Sequence, residues 1–142
     1  MKSRKNYTKK SGRPQIFQKE ITIKLLELLM MIKLFHWKTT NYATHKATDE
    51  LYSKLNDHID TFIEILLGKT GTRTNLLKNN KLSLIDLSNK EQLINKINYY
   101  KSYMVDLSNN SFIRSMSNTD LLNIRDEILG DLNQFMYLLS FT

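Results

Sequence analysis

The spacing of apolar residues limits this chain's fold more than any other feature, because it follows the helical period in four separate stretches. Ile21, Leu25, Leu28, Ile32 and Phe35 are spaced four, three, four and three apart, the stripe of an amphipathic helix over residues 15–37. Leu51, Leu55, Ile59, Phe62 and Leu66 mark a second helix that should stop near Gly68. Leu93, Ile97, Tyr100, Met104 and Leu107 mark a third, opened by Ser88-x-x-Glu91 as a capping box and closed near Asn109 and Asn110. The fourth begins after Asn118 or Thr119 and carries Leu121, Ile128, Leu132, Phe135 and Leu139. With 1 Pro and 4 Gly in 142 residues, few breakers interrupt these runs, which favours helices over a turn-rich β architecture.

The gaps between the helices set their connectivity. Lys38 to Tyr42 is short and holds the cap-forming Thr39, Thr40 and Asn41, and the last link is also short. The middle gap is long, and its apolar cluster Leu82, Leu84, Ile85 and Leu87 reads as a short helix carried on a crossover. The expected fold is therefore all-α, one four-helix bundle over residues 15–142 with a single long crossover. No solenoid repeat, phosphate-binding glycine loop or zinc-finger spacing is present.

Charge is distributed unevenly. Lys2, Arg4, Lys5, Lys9, Lys10, Arg13 and Lys19 precede the first acidic residue and equal the whole formal net charge of +7. Residues 1–14, punctuated by Gly12 and Pro14, are expected to form a disordered basic arm. Such a segment either stays solvated or holds nucleic-acid phosphates without reading sequence, and the DNA-binding reading assigns that role to Lys2, Arg4, Lys5, Lys9, Lys10 and Arg13. Without cysteine, disulfides and thiolate metal sites are impossible, and nothing signals an oxidising compartment. No apolar run reaches the length of a membrane span or a signal-peptide core, so an intracellular setting, cytoplasmic or nucleoid-associated, is expected.

The candidate chemistry lies between residues 36 and 64. His36, beside Trp37, is followed by His45, Asp49, Asp60 and Glu64, an imidazole and carboxylate set suited to iron or another borderline-to-hard divalent ion. Asp60 and Glu64, like His45 and Asp49, are four apart and share a helix face. Asp57 and His58 have weaker claims. Trp37 is expected to pack at an interface, and Tyr99, Tyr100 and Tyr103 to pack within the bundle. No Glu-x-x-His occurs, so the ferritin type of centre inside a single bundle is disfavoured.

The run His36-Trp37, His45, Asp49 and Asp57-His58-Ile59-Asp60-Thr61-Phe62-Ile63-Glu64 resembles the ferroxidase segment of the Dps family, the mini-ferritins, and Leu132 to Leu139 resembles that family's last helix. The linker from His36 to His45 is shorter than the family's and lacks its glycine, and Ile65 stands where an arginine usually follows the glutamate. The resemblance implies a ferritin-like bundle and a homo-oligomer with a two-fold interface, assembled as a dodecameric shell. It also implies an iron-oxidising centre formed between subunits by His36, His45, Asp60 and Glu64, with Asp49 as a further ligand or an orienting partner. Iron storage or detoxification under oxidative stress would follow, with non-specific DNA binding through the arm. The competing class is a non-enzymatic DNA-binding or packaging protein that keeps the bundle and arm without the metal centre. A bundle used only for protein contacts is a third.

Overall fold

A computed structural model describes residues 4–142 apart from 79 and 80, with side chains from Pro14 onward. Lys2 lies outside the described residues, as do the side chains of Arg4, Lys5, Lys9, Lys10 and Arg13. Four long helices, α1 (Arg4–Lys38), α2 (Tyr42–Thr70), α3 (Lys90–Asp106) and α5 (Thr119–Leu139), pack as a bundle. A 3-10 turn (Leu107–Asn109) and the one-turn α4 (Ser111–Arg114) join α3 to α5. The backbone is helical from Arg4, whereas the apolar stripe that packs α1 against its neighbours begins only at Phe17. Pro14 lies inside this helix and removes one i→i−4 hydrogen bond from the turn before it.

The four predicted stripes are the core. Ile21, Leu25, Leu28 and Ile32 of α1, Leu55 and Leu66 of α2, Leu93 and Ile97 of α3, and Leu121, Ile128 and Leu132 of α5 are fully buried. Their removal from water is the main term holding the helices together, about 1.5–3 kcal/mol for each such side chain. Arg125, like Asp131, is a charged residue buried among them. Its guanidinium donates to Met104 O at 2.9 Å and to Ser108 Oγ at 2.8 Å, satisfying groups at the C-terminal end of α3, where cationic charge is favourable.

Side-chain pairs fix the directions. Lys54 to Gln134, His58 to Asp131 and Lys69 to Asp120 run α2 antiparallel to α5. Gln18 against Thr70 at one end and His36 against Thr48 towards the other run α1 antiparallel to α2. Asn89, which caps α3, borders the same cavity as Phe35 and Thr44, so α3 begins where α2 begins and the two are parallel. The link from Gly71 to Asn89 must therefore return along the whole bundle. This explains the one departure from the predicted connectivity: among its described residues the crossover carries no helix. Nineteen residues of helix would cover about 28 Å, against about 40 Å along α2 from Thr44 to Gly71, whereas extended chain reaches about 60 Å. The crossover is anchored instead by buried Leu87, by Ser83 N–H donating to Glu27 at 3.1 Å, and by Asp86 on Lys38 at 2.7 Å.

Caps locate the helix ends. Asn41 opens α2 by accepting Thr44 N–H at 2.9 Å. Gly71, at φ 70, closes it in the left-handed region that only glycine enters without strain, so the helix passes Gly68. The cap of α3 is Asn89 rather than Ser88. Asn89 accepts Gln92 N–H, and the Gln92 side chain reaches past the cap to accept the N–H of the preceding Ser88, an arrangement related to the capping box but not reciprocal.

Tyr100 is buried and Tyr103 packs partly buried against the core, as expected, whereas Tyr99 is exposed at the surface and accepts a hydrogen bond from Lys24 of α1 at 2.7 Å. Burial, followed by the nearby Glu20 and Tyr99, pushes the Tyr103 hydroxyl from 10.0 up to about 12, and burial beside Glu27 raises that of Tyr100 further. Both shifts favour the neutral phenol in the folded state. Their contribution to stability is complete below pH 10 and is lost as pH rises towards the folded-state values. Urea midpoints measured across that range should fall with pH, and a Tyr100→Phe, Tyr103→Phe double variant should show a shallower fall. An equally steep fall in that variant would assign the alkaline sensitivity elsewhere.

Candidate metal centre

The helix caps leave only residues 39–41 between α1 and α2, and this corner brings the two histidines together. Their rings stack with centroids 3.9 Å apart and planes inclined by 17°. His36 Nδ1 lies 2.9 Å from His45 O, and His45 Nδ1 lies 3.0 Å from His36 O. A carbonyl oxygen can only accept, so each Nδ1 carries the hydrogen. In the neutral rings each Nε2 is then left as a lone-pair donor, the tautomer that metal-binding histidines use. Neither Nε2 has a hydrogen-bond partner among the described residues. Buried Thr48 completes the support: its hydroxyl lies 3.0 Å from His36 Nδ1 and donates to the Thr44 or His45 carbonyl. The His45 imidazole also satisfies a carbonyl in the last turn of α1, which has no helical partner beyond it.

The three carboxylates are exposed on α2, and no salt bridge among the described residues reaches Asp49, Asp60 or Glu64. At about 100° per residue, Asp60 lies within about 20° of Asp49 around the helix, with His45 and Glu64 about 40° to either side of that pair. All four thus mark one side of α2. Along the axis they are far apart, His45 and Glu64 by about 28 Å. One chain therefore brings His36 to His45 and leaves Asp60 and Glu64 at a distance. Among the described residues no three His, Asp or Glu side chains cluster closely enough to hold an ion.

The weaker candidates separate from this strip. His58 Nδ1 meets Asp131 of α5 at 2.5 Å, about half a helical turn from Asp49 around α2, and Asp57 is exposed. Asp131, buried at 8% exposure, went unmarked in the sequence because only the pairing of α2 with α5 supplies its partner. Thr48 had a readable signal, since it stands three residues beyond His45 on the same helix. Trp37 is 69% exposed, and no protein group among those described accepts its indole N–H. Lys33 Nζ sits 5.7 Å from the Trp37 ring and 4.4 Å from that of Tyr52, so an aromatic and cationic patch adjoins the histidine corner.

The family model for a family of unknown function, DUF5856, matches residues 36–139, and the chain belongs to that family. The matched segment begins at His36 and contains all five candidate ligands. No curated protein and no solved structure matches the chain. No described helix is long and apolar enough to cross a membrane.

The corner makes a prediction that needs no metal. His36→Ala and His45→Ala should each lower the unfolding free energy by about 1–2 kcal/mol through the lost hydrogen bond. A double-mutant cycle should give a coupling of about 0.5–1.5 kcal/mol from the stacked rings. Strictly additive losses, measured by urea unfolding, would mean that the rings do not support each other.

Proposed function

We propose that this protein is a Dps-like mini-ferritin that oxidises Fe(II) at a centre shared between two copies of the chain and so stores or detoxifies iron. The observation that carries the reading is the symmetry of the α2 strip. His45 and Asp49 on one side, Asp60 and Glu64 on the other, are equidistant from a point between Lys54 and Leu55. A second α2 laid antiparallel about a two-fold axis at that height, on the exposed face that carries the strip, sets His45 opposite the partner's Glu64 and Asp49 opposite the partner's Asp60. The carboxylates that one chain holds apart from its histidines are then supplied by the other. Exposed Trp37 on the neighbouring surface suits burial in such an interface.

The residues fit the substrate. Two neutral imidazoles with free Nε2 atoms, facing carboxylates that lack a cation, form a harder-donor set appropriate to Fe(II). Nδ1–H bonds to backbone carbonyls fix the ring orientations, as is usual for ligating histidines. His36, His45, Asp60 and Glu64 hold the iron, with Asp49 as a further ligand or partner. Each Fe(II) passes one electron to an oxidant, dioxygen or peroxide, and the carboxylates balance the added positive charge. The three-residue corner replaces the longer, glycine-containing linker of the Dps pattern. Its reciprocal hydrogen bonds are a second means of orienting the same two rings.

Asp60→Ala with Glu64→Ala should slow Fe(II) oxidation severely, followed by absorbance, while circular dichroism retains the helical signal. Sedimentation or mass photometry should show an oligomer built on a two-fold pair. A species of 16.8 kDa alone, or unchanged oxidation kinetics in the double variant, would refute the shared centre.

The basic arm supports non-specific DNA binding as an accompanying activity. Six of the seven cationic side chains that equal the net charge lie within residues 1–14, and the rest of the chain is close to neutral. If about four to six phosphates are contacted, affinity should fall with salt at a log–log slope of about −0.9 per contact. Deleting residues 1–14 should abolish DNA binding in mobility-shift assays and leave assembly and iron oxidation intact. Salt-resistant binding by the truncated chain would move the DNA site to the bundle. A competing reading keeps DNA packaging without iron chemistry; the stabilising role of the His36–His45 contact gives both histidines a use in that case.

A further inference from the structure

The strip on α2 is short of positive charge. Asp49, Asp60 and Glu64 are exposed, and no salt bridge among the described residues supplies any of them with a cation. A second copy does not supply one either. Residues equidistant from the point between Lys54 and Leu55 face each other, so Asp49 meets the partner's Asp60, His45 the partner's Glu64 and Ser53 the partner's Asn56. Lys46, at the rim of the strip, faces the partner's Ile63 and sets its Nζ 5.9 Å from the ring of Tyr42.

Each end of the pair therefore gathers three carboxylates. Asp49 of one copy and Asp60 of the other lie about 8 Å from the two-fold axis along α2, and Glu64 lies about 14 Å from it. Like charges held across a contact repel, most strongly where packing excludes water and its ions. The apolar surface of the same face is confined to its ends, where exposed Tyr42 stands opposite the partner's Leu67 and Trp37 lies near the corner. Ser53 and Asn56, at the centre, are polar and exposed.

We propose that a divalent cation gates the pairing of two copies. Metal-free chains pair weakly, and an ion at each end, held by the imidazoles of one copy and the carboxylates of both, locks the pair. This rests on the shared centre of the proposed function and adds its regulation. Linkage fixes the direction, because an ion that binds only the pair favours the pair by the same factor. The uncompensated carboxylates set the size, about a hundredfold in the dissociation constant of the pair. The oligomer expected above is thus the metal-loaded form, and the chain assembles where its substrate metal is present.

Sedimentation of the full chain over a concentration series, in EDTA and in Mn(II), reads that constant without redox chemistry. Mn(II) is expected to tighten pairing about a hundredfold relative to EDTA, whereas potassium chloride at matched ionic strength is not. Asp49→Asn with Asp60→Asn removes four of the six facing carboxylates from the pair and keeps the side-chain shapes. That double variant should pair more tightly than the unaltered chain in EDTA and respond little to Mn(II), the opposite of losing an ordinary contact. Pairing equally tight in EDTA and Mn(II), or tightened as much by potassium chloride, would overturn the gating and leave the shared centre standing. So would a double variant that pairs more weakly in EDTA. A chain that stays at 16.8 kDa in both media at every concentration would overturn the gating and the shared centre together.

Discussion

Everything else in the bundle is indexed from the corner between α1 and α2. Three non-helical residues leave the two helices almost no freedom to slide, and the His36–His45 pair removes what remains by bonding each ring to the other's backbone. A shift of α1 along α2 by one residue would break both bonds and the Thr48 contact together. The buried rows that begin at Phe35 on one helix and at Ala47 and Leu51 on the other then meet in a single register. Corner and apolar seam thus specify the same alignment, the agreement across levels that a well-defined fold requires.

The crossover follows from that alignment. Once α1 and α2 are antiparallel and α3 starts beside the corner, the chain must travel the length of the bundle with too few residues to do so as helix. It is therefore extended and held at a few points, with Leu84 and Leu77 left exposed. Local opening should concentrate in this segment, because it has few buried contacts and its described residues form no helical hydrogen-bond ladder. The long helices, by contrast, share one apolar cluster and should open together.

Within one chain the candidate ligands divide into two groups, and this division gives the iron reading its form. The histidines are placed by a turn and the carboxylates by the straightness of α2, which keeps Asp60 about 22 Å and Glu64 about 28 Å from His45 along the axis. No flexing of a single bundle could join them without breaking α2. A centre built from these residues requires a second copy, so assembly and iron chemistry stand or fall together in the proposed function.

The sequence by itself determined the helical class, the four buried stripes and the faces on which His45, Asp49, Asp60 and Glu64 lie, because these follow from a period of 3.6 residues and need no partner. It also placed the long connection between the second and third helices. It misread the state of that connection: an apolar cluster of Leu82, Leu84, Ile85 and Leu87 looks helical until the distance it must span is known. It put the α3 cap one residue early, since both Ser88 and Asn89 can cap and only backbone geometry chooses between them. The contact of His36 with His45, the support from Thr48 and the pairing of His58 with Asp131 were decided by tertiary structure. Each joins residues from different helices, and one-dimensional spacing carries no information about which faces of two helices will meet.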